Sequence, residues 1–339
     1  MKSRPSTVIT TGFVALDVIR PPLRQPVQLA AGGSCGNVSA DLASLGVAVQ
    51  LGAKLGLDDE GWAVTEDLAA QGVALKYLER SANVRTPVVI HEVLDGQGAL
   101  ANHRFLFNAP ESGEPLPRFT SISDRQAEQV IASGEQPRVL YFDRLSHAII
   151  RLAAWAHDGG SLVFFEPSDV RDLSLLALVI AHVDIIKCSS EREKELRGFA
   201  GRARVPIAIL TMGARGLRLR SPPPPGQPDS IQMPAFPIAR LTDTAGAGDA
   251  VSAALIRRIV LSETFGQPSR DLLISGLTDG QRLAALNCGF AGARGAFRSL
   301  DPNALQAFLD GHIGAFDTVG ARRTLSSLTL PAGLEARYR

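Results

Sequence analysis

Asp243-Thr244-Ala245-Gly246-Ala247-Gly248-Asp249 runs directly into Ala250-Val-Ser-Ala-Ala-Leu-Ile-Arg-Arg-Ile-Val260, and this junction decides how the chain reads. Gly246, Ala247 and Gly248 are small enough for a tight turn whose successive N–H groups point at one spot in front of a helix, where positive partial charge collects. Asp249 then sets a carboxylate beside any anion held there. That juxtaposition is repulsive unless the carboxylate takes up a proton, so the residues point to phosphoryl transfer with Asp249 as base. An N-cap aspartate after a glycine turn gives the same local pattern. Two features favour the chemical reading: an acidic residue at each end of the seven-residue stretch, and a second glycine-rich segment far upstream.

That second segment is Ala31-Gly32-Gly33-Ser34-Cys35-Gly36-Asn37, another loop that opens a helix. Its glycines admit a ligand close to the backbone. Asn37 offers both a donor and acceptors, which suits a polyol better than a phosphate, although an N-cap is the competing reading. Asp17 follows the first strand, where open α/β sheets place ligand contacts, and reads either as a hydroxyl partner or as a turn residue before Pro21-Pro22.

Thr211-Met-Gly213-Ala-Arg-Gly216 ends a strand with a glycine turn that can pass under a nucleotide. No Gly-x-x-x-x-Gly-Lys-Ser/Thr is present, and Val251 stands where a dinucleotide fingerprint starting at Gly246 needs its last glycine. Ser190-Glu-Arg-Glu193 reads as a magnesium-water ligand or as a solvated helix start. Lys54 to Gly61 is acidic but has the wrong ligand spacing for a calcium loop. His91 and His103 read as surface or hinge residues, and Arg104 beside them as a substrate contact or a solvated strand residue.

Strand-like and helical runs alternate: Val8 to Val14, a helix from Asn37 to Leu45, Val49 to Ala53, a helix from Trp62 to Gln71. The alternation resumes with Val139 to Phe142, helices near 146–157 and 173–181, and strands at Leu162 to Glu166, Ile185 to Cys188 and Ile207 to Thr211. A mainly parallel sheet covered by helices follows. Between the halves, Thr86 to Val93 and Ala101 to Phe107 flank an Asp95-Gly96 turn signal and predict an antiparallel insert, with Val27 to Ala30 as its pairing strand. Such a mini-sheet suits a cover over a cleft.

The 339 residues, 45% hydrophobic, suffice for one large domain. Thirty-five basic and 34 acidic side chains leave no charge footprint for nucleic acid or an acidic membrane. Three widely spaced cysteines support neither a disulfide framework nor a zinc cluster and imply a reducing, cytoplasmic compartment. No signal peptide or membrane span is evident. After Phe308 periodicity fades.

Together these motifs resemble the ribokinase-like, or PfkB, family of carbohydrate kinases, from about residue 8 to residue 310. Asp243 to Asp249 matches its C-terminal signature; Gly32 to Asn37 and Gly56-Leu-Asp58-Asp-Glu-Gly61 match its N-terminal one. The resemblance implies a three-layer α/β sandwich with a mainly parallel central sheet and a small β-sheet lid at about 20–30 and 85–108. It implies a kinase domain at 1–310 and an extension at 311–339. It further implies that Asp249 is the base and that the amides of Gly246, Ala247 and Gly248 form the anion hole. Asp17, Gly33 and Asn37 would hold the substrate hydroxyls; Arg104, from its place in the hairpin, is read as a further contact to a substrate or phosphate oxygen. Thr211, Gly213, Gly216 and Asn287 would line the ATP site, with Mg²⁺ reached through Glu193 and a monovalent cation such as K⁺ near Asp243. The family's Asn-x-x-Glu element appears here as Ser190-x-x-Glu193, keeping the acid and losing the amide. The expected acceptor is a sugar or sugar acid, with a nucleoside, stacked on Phe105, Phe107 or Phe119, or a non-catalytic sugar sensor as alternatives. A homodimer through the lid is a further expectation.

Overall fold

The computed structural model describes residues 7–21, 26–94, 103–168, 172–193, 205–238, 241–264, 266–312, 331 and 333–338. Its main sheet is built from β1 (Val8–Thr11), β4 (Val49–Gly56), β5 (Ala74–Ser81), β8 (Val139–Phe142), β9 (Leu162–Phe165), β10 (Ile185–Ser189), β11 (Ile207–Thr211), β12 (Leu217–Arg220) and β13 (Ser230–Met233), in the order β13-β12-β11-β10-β9-β8-β1-β4-β5. All neighbours are parallel except the β11-β12-β13 edge. The short central strands are buried along their whole length because both faces are covered, and they are apolar except at Thr10 and Thr11 and the Tyr141 hydroxyl.

Alternation sends every second residue to an opposite layer. Val8, Tyr141 and Phe164 join the core containing α1 (Ser34–Ser44), α6 (Ala247–Leu261) and α7 (Arg270–Asn287). Ile9, Leu140, Phe142, Val163 and Phe165 face α3 (Asp124–Ala132), α4 (His147–Asp158) and α5 (Leu173–Val179). Each such side chain stabilises the fold by roughly 1.5–3 kcal/mol when fully buried. Helix α6 lies close against α7 because Gly276 and Gly280 leave no side chain between them; a Cβ at Gly280 would sit 2.8 Å from Val251 Cα.

The second sheet has four strands: β2 (Ala15–Arg20), β3 (Gln28–Gly32), β6 (Val88–Val93) and β7 (His103–Leu106), in the order β3-β2-β6-β7. This corrects two expectations. The apolar run from Val8 is two strands, because Gly12 turns the chain at φ 144° with Asp143 Oδ1 filling the space of its missing side chain. And β3 pairs with β2, which in turn pairs with β6, so residues 15–20 form the middle of the lid. The Asp95-Gly96 turn lies outside the described residues, as does most of the segment after 312. At the far end, Tyr338 donates to Glu60 at 2.9 Å and Arg337 pairs with Asp59 and Glu60, beside the start of α2 (Asp59–Ala70). Asp58 caps α2 through Gly61 N at 2.8 Å and also receives Thr86 N at 2.9 Å, joining that helix to the entry of β6. Among the described residues no helix is long and apolar enough to cross a membrane.

Candidate active site

One row of the main sheet gathers charged side chains. Phe142, Phe165 and Ile186 are register partners. The next row, at the carboxyl side, is therefore Asp143, Glu166 and Lys187, where an open parallel sheet presents ligands. Lys187 pairs with Glu166, which also accepts from Ser252 Oγ at 2.5 Å and Tyr141 Oη at 3.1 Å. Asp143 accepts from Phe13 N at 2.8 Å and Arg144 Nη1 at 2.7 Å. The Arg144 guanidinium lies 4.7 Å over the Phe13 ring, against which Phe119 packs edge-on.

Helix α6 starts over this row. Gly246 is its N-cap at φ 70°, and Ala293 O comes within 1.8 Å of where a Cβ would stand. No side chain caps the helix; Ala247 N makes a long bond of 3.4 Å to Thr244 O, and the Gly248 amide faces the space in front of the helix. A Cβ at Gly248 would stand 3.5 Å from Lys187 Nζ, which adds a cation to the helix dipole. Asp249 stands one residue on. Burial, the nearby Glu166 charge and Asp143 push its carboxyl up to about 8, opposed by Asn37 and Lys187.

Asn37 Nδ2 donates to Asp249 Oδ2 at 2.7 Å. Its helix begins at Gly33, whose φ of 77° and 2.5 Å approach to Phe13 O exclude any side chain. Phe13 O accepts the amides of Cys35 and Gly36, so the start of α1 is already satisfied and differs from the open start of α6. Asn37 also lines a cavity of about 40 Å³ with Asp17, Ala31, Gly292 and Arg294. Asn37 Oδ1 and Arg294 Nε are buried there without partners among the described residues, one an acceptor and one a donor. Burial raises the Asp17 carboxyl to about 6, with His91 and Arg294 opposing. The volume holds only a few waters.

Other expected site residues lie elsewhere or do other work. Arg104 is paired with Glu92 at 2.9 Å, exposed, and on the face of the small sheet opposite Asp17 and His91, as the register dictates. Asn287 is fully buried. Its amide donates to Ala245 O at 3.2 Å and Ala293 O at 2.9 Å and its oxygen accepts Ala296 N, so it braces the loop before α6 and has no amide hydrogen left for a nucleotide. Gly216 packs against Met233 O, 2.1 Å from its Cβ position, and turns β11 into β12. Gly213, at φ 57°, has nothing within 4 Å of its own, leaving open backbone beside Thr211. Ser190 N donates to Thr211 O at 2.8 Å, which sets Ser190 to Glu193 at the carboxyl end of β10 beside that turn. Asp243 is buried. Its oxygens meet Ala245 N at 2.9 Å, Gly292 N at 2.8 Å and the two imidazoles of His91 and His103 at 3.0 and 3.1 Å, and these partners hold its carboxyl well below the usual range. Two nitrogens are not the oxygen cage expected for K⁺.

Glu166, Lys187, Asp143 and Arg294 escaped the sequence reading. A lysine inside the apolar Ile185-Ile-Lys-Cys run, and acids directly after apolar strands at 143 and 166, were the available signals.

A buried carboxylate at a helix start, facing a charged row and joined to a polar cavity under a small sheet, sits in an α/β fold whose relatives are phosphotransferases. The family model for pfkB family carbohydrate kinases matches residues 11–296, and the chain belongs to that family. No curated protein sequence matches it. Among solved structures, it is similar to a fructokinase from Xylella fastidiosa with bound ATP (TM-score 0.69, 18% identity, covering 85% of this chain and 94% of that one). It is also similar to the aminoimidazole riboside kinase from Salmonella enterica complexed with aminoimidazole riboside and an ATP analog (0.67, 20%, 89% and 99%). A third is the Arabidopsis thaliana ribokinase complexed with ribose and ATP (0.65, 21%, 90% and 98%).

Proposed function

We propose that this kinase transfers the γ-phosphate of ATP to a hydroxyl, primary in our reading, of a sugar or sugar acid. The observation that carries this is the Asn37 side chain, which lines the polar cavity and is bonded to Asp249. An acceptor hydroxyl held by Asn37 Oδ1, Asp17 and the Gly33 backbone would lie beside the base. Asp249 takes the hydroxyl proton, while the Gly246 to Gly248 amides and Lys187 balance the charge of the transferring group. The nucleotide would run along Thr211 and Gly213. Ser190 and Glu193 offer the oxygen donors that Mg²⁺ accepts through water; when bound, the ion neutralises phosphate charge. The lid would exclude water from the reacting phosphate.

A nucleoside acceptor is the second reading, favoured by the Phe13 and Phe119 rings beside the Gly33 turn. A second copy meeting the first across the lid belongs to the proposal, since Leu94, Phe105 and Phe107 leave apolar surface there. The unpaired Cys35, Cys188 and Cys288 accord with a reducing, cytoplasmic setting.

The test is ADP release from Mg-ATP against sugars, sugar acids and nucleosides, with Asp249→Asn alongside. Turnover on one class that disappears in the variant is expected. Silence of the wild type on every class, with calorimetric binding of a sugar, would replace the enzyme by a sensor.

A further inference from the structure

His91 and His103 come from two lid strands, β6 and β7, and meet Asp243 from the loop that enters α6. Three ligand atoms, one from each residue, lie within 4.8 Å of one another. His91 is wholly buried, yet its Nδ1 has no partner among the described residues and its Nε2 approaches Asp243 Oδ2 at 3.0 Å without the alignment of a hydrogen bond. His91 Nε2 and His103 Nδ1 both face the Asp243 carboxylate, the convergence of nitrogen and oxygen atoms that a ligand set requires. In a tetrahedral site with bonds of about 2.0 Å, neighbouring ligand atoms stand about 3.3 Å apart. His91 Nε2 and His103 Nδ1 stand 3.0 and 3.1 Å from different oxygens of Asp243, and with one atom per residue the three lie within 4.8 Å of one another, so small side-chain shifts bring them to that spacing.

The donor set selects the ion. Two imidazoles and one carboxylate suit zinc-class divalent transition metals and disfavour K⁺, Ca²⁺ and Mg²⁺, which take oxygen. The surroundings support a metal too: Ala245 N and Gly292 N orient the Asp243 carboxylate, and the Phe105 ring lies 4.9 and 4.8 Å from the two imidazoles, shielding one side.

We propose that His91, His103 and Asp243 bind one divalent transition metal of the zinc class, which fastens the lid strands to the loop carrying Gly246 to Gly248. The site is one residue from the cavity through Gly292, so the metal sets how the lid stands over the acceptor. Its three protein ligands leave a position for water.

The full chain, stripped by chelator dialysis, is titrated with ZnCl₂ by calorimetry and with Co²⁺ by visible absorption, in the absence of ATP and acceptor. Failure here would therefore leave the kinase reading untouched. One Zn²⁺ per chain is expected, with a rise in melting temperature and a Co²⁺ ligand-field spectrum. His103→Gln, at a partly exposed position, and His91→Gln should each weaken Zn²⁺ by roughly tenfold or more and abolish the thermal shift. The proposal is overturned if the wild type binds no Zn²⁺ saturably, if His103→Gln binds it as tightly as the wild type, or if K⁺ stabilises the protein and Zn²⁺ does not.

Discussion

Asn37 and Asp249, 212 residues apart in the chain, are joined by a hydrogen bond of 2.7 Å. Two helix starts are thereby brought to one point, one without a side-chain cap and one whose amides Phe13 O accepts.

The raised Asp249 carboxyl has a definite sign. Its folded value, about 8, lies above an unfolded value near 3.9, so between these the native state holds a proton that the unfolded chain releases. Stability from this group is therefore full in acid and is lost as pH rises through that window. Asp249→Asn removes the loss and should be more stable than wild type by a margin that is larger at about pH 8 than at about pH 5. Its kcat should drop about 10²–10⁴-fold. Wild-type kcat/KM should climb between about pH 6 and about pH 8 as the base ionises. Urea melts at the two pH values and steady-state kinetics check this; a margin independent of pH would refute it.

Removing the Asn37 amide takes away a donor that favours ionised Asp249. Asn37→Ala should move the rising limb of kcat/KM to higher pH and raise the acceptor KM, leaving the ATP KM nearly unchanged. An unaltered limb would mean that the 2.7 Å contact has no bearing on the base.

Lys187 and Glu166 form a buried pair, with side chains 2% and 13% exposed. Lys187→Met strands Glu166 and should cost about 3–5 kcal/mol, whereas adding Glu166→Gln should recover much of that loss. Denaturant titration of the singles and the double supplies the cycle. Additive effects would show that the two residues do not act as a pair.

Asp41 is wholly buried on α1, and neither carboxylate oxygen has a hydrogen-bond partner among the described residues. Burial pushes its carboxyl well up; Arg294 opposes this and Asp249 adds to it. With the folded value above the unfolded one, stability falls as pH rises from the unfolded value. Asp41→Leu should raise stability by about 1–3 kcal/mol, more at alkaline than at acid pH. Calorimetric melting at two pH values reads it, and a destabilised variant would assign Asp41 an interaction that the fold depends on.

The layered fold was readable because apolar runs, helical periodicity and glycine turns are local signals. Helices at 147–158 and 173–179 and strands at 139–142, 185–189 and 207–211 fall close to where the pattern placed them. The lid was read less well: Gly12 breaks an apolar run that periodicity alone treats as continuous, and pairing of β3 with β2 is a long-range choice. Arg104 shows the same limit, since one residue of register decides which face a side chain takes.

By itself the sequence determined the turn at 246–248, the acid after it and the helix start at Asn37, since backbone conformation and first-turn amides follow from residue type. The tertiary structure alone decided what those groups meet. Strand register aligned Asp143, Glu166 and Lys187 in one row beneath α6, and sheet pairing carried His91 and His103 to Asp243. Residues hundreds of positions apart become neighbours through packing of whole layers, and no local propensity encodes that distance.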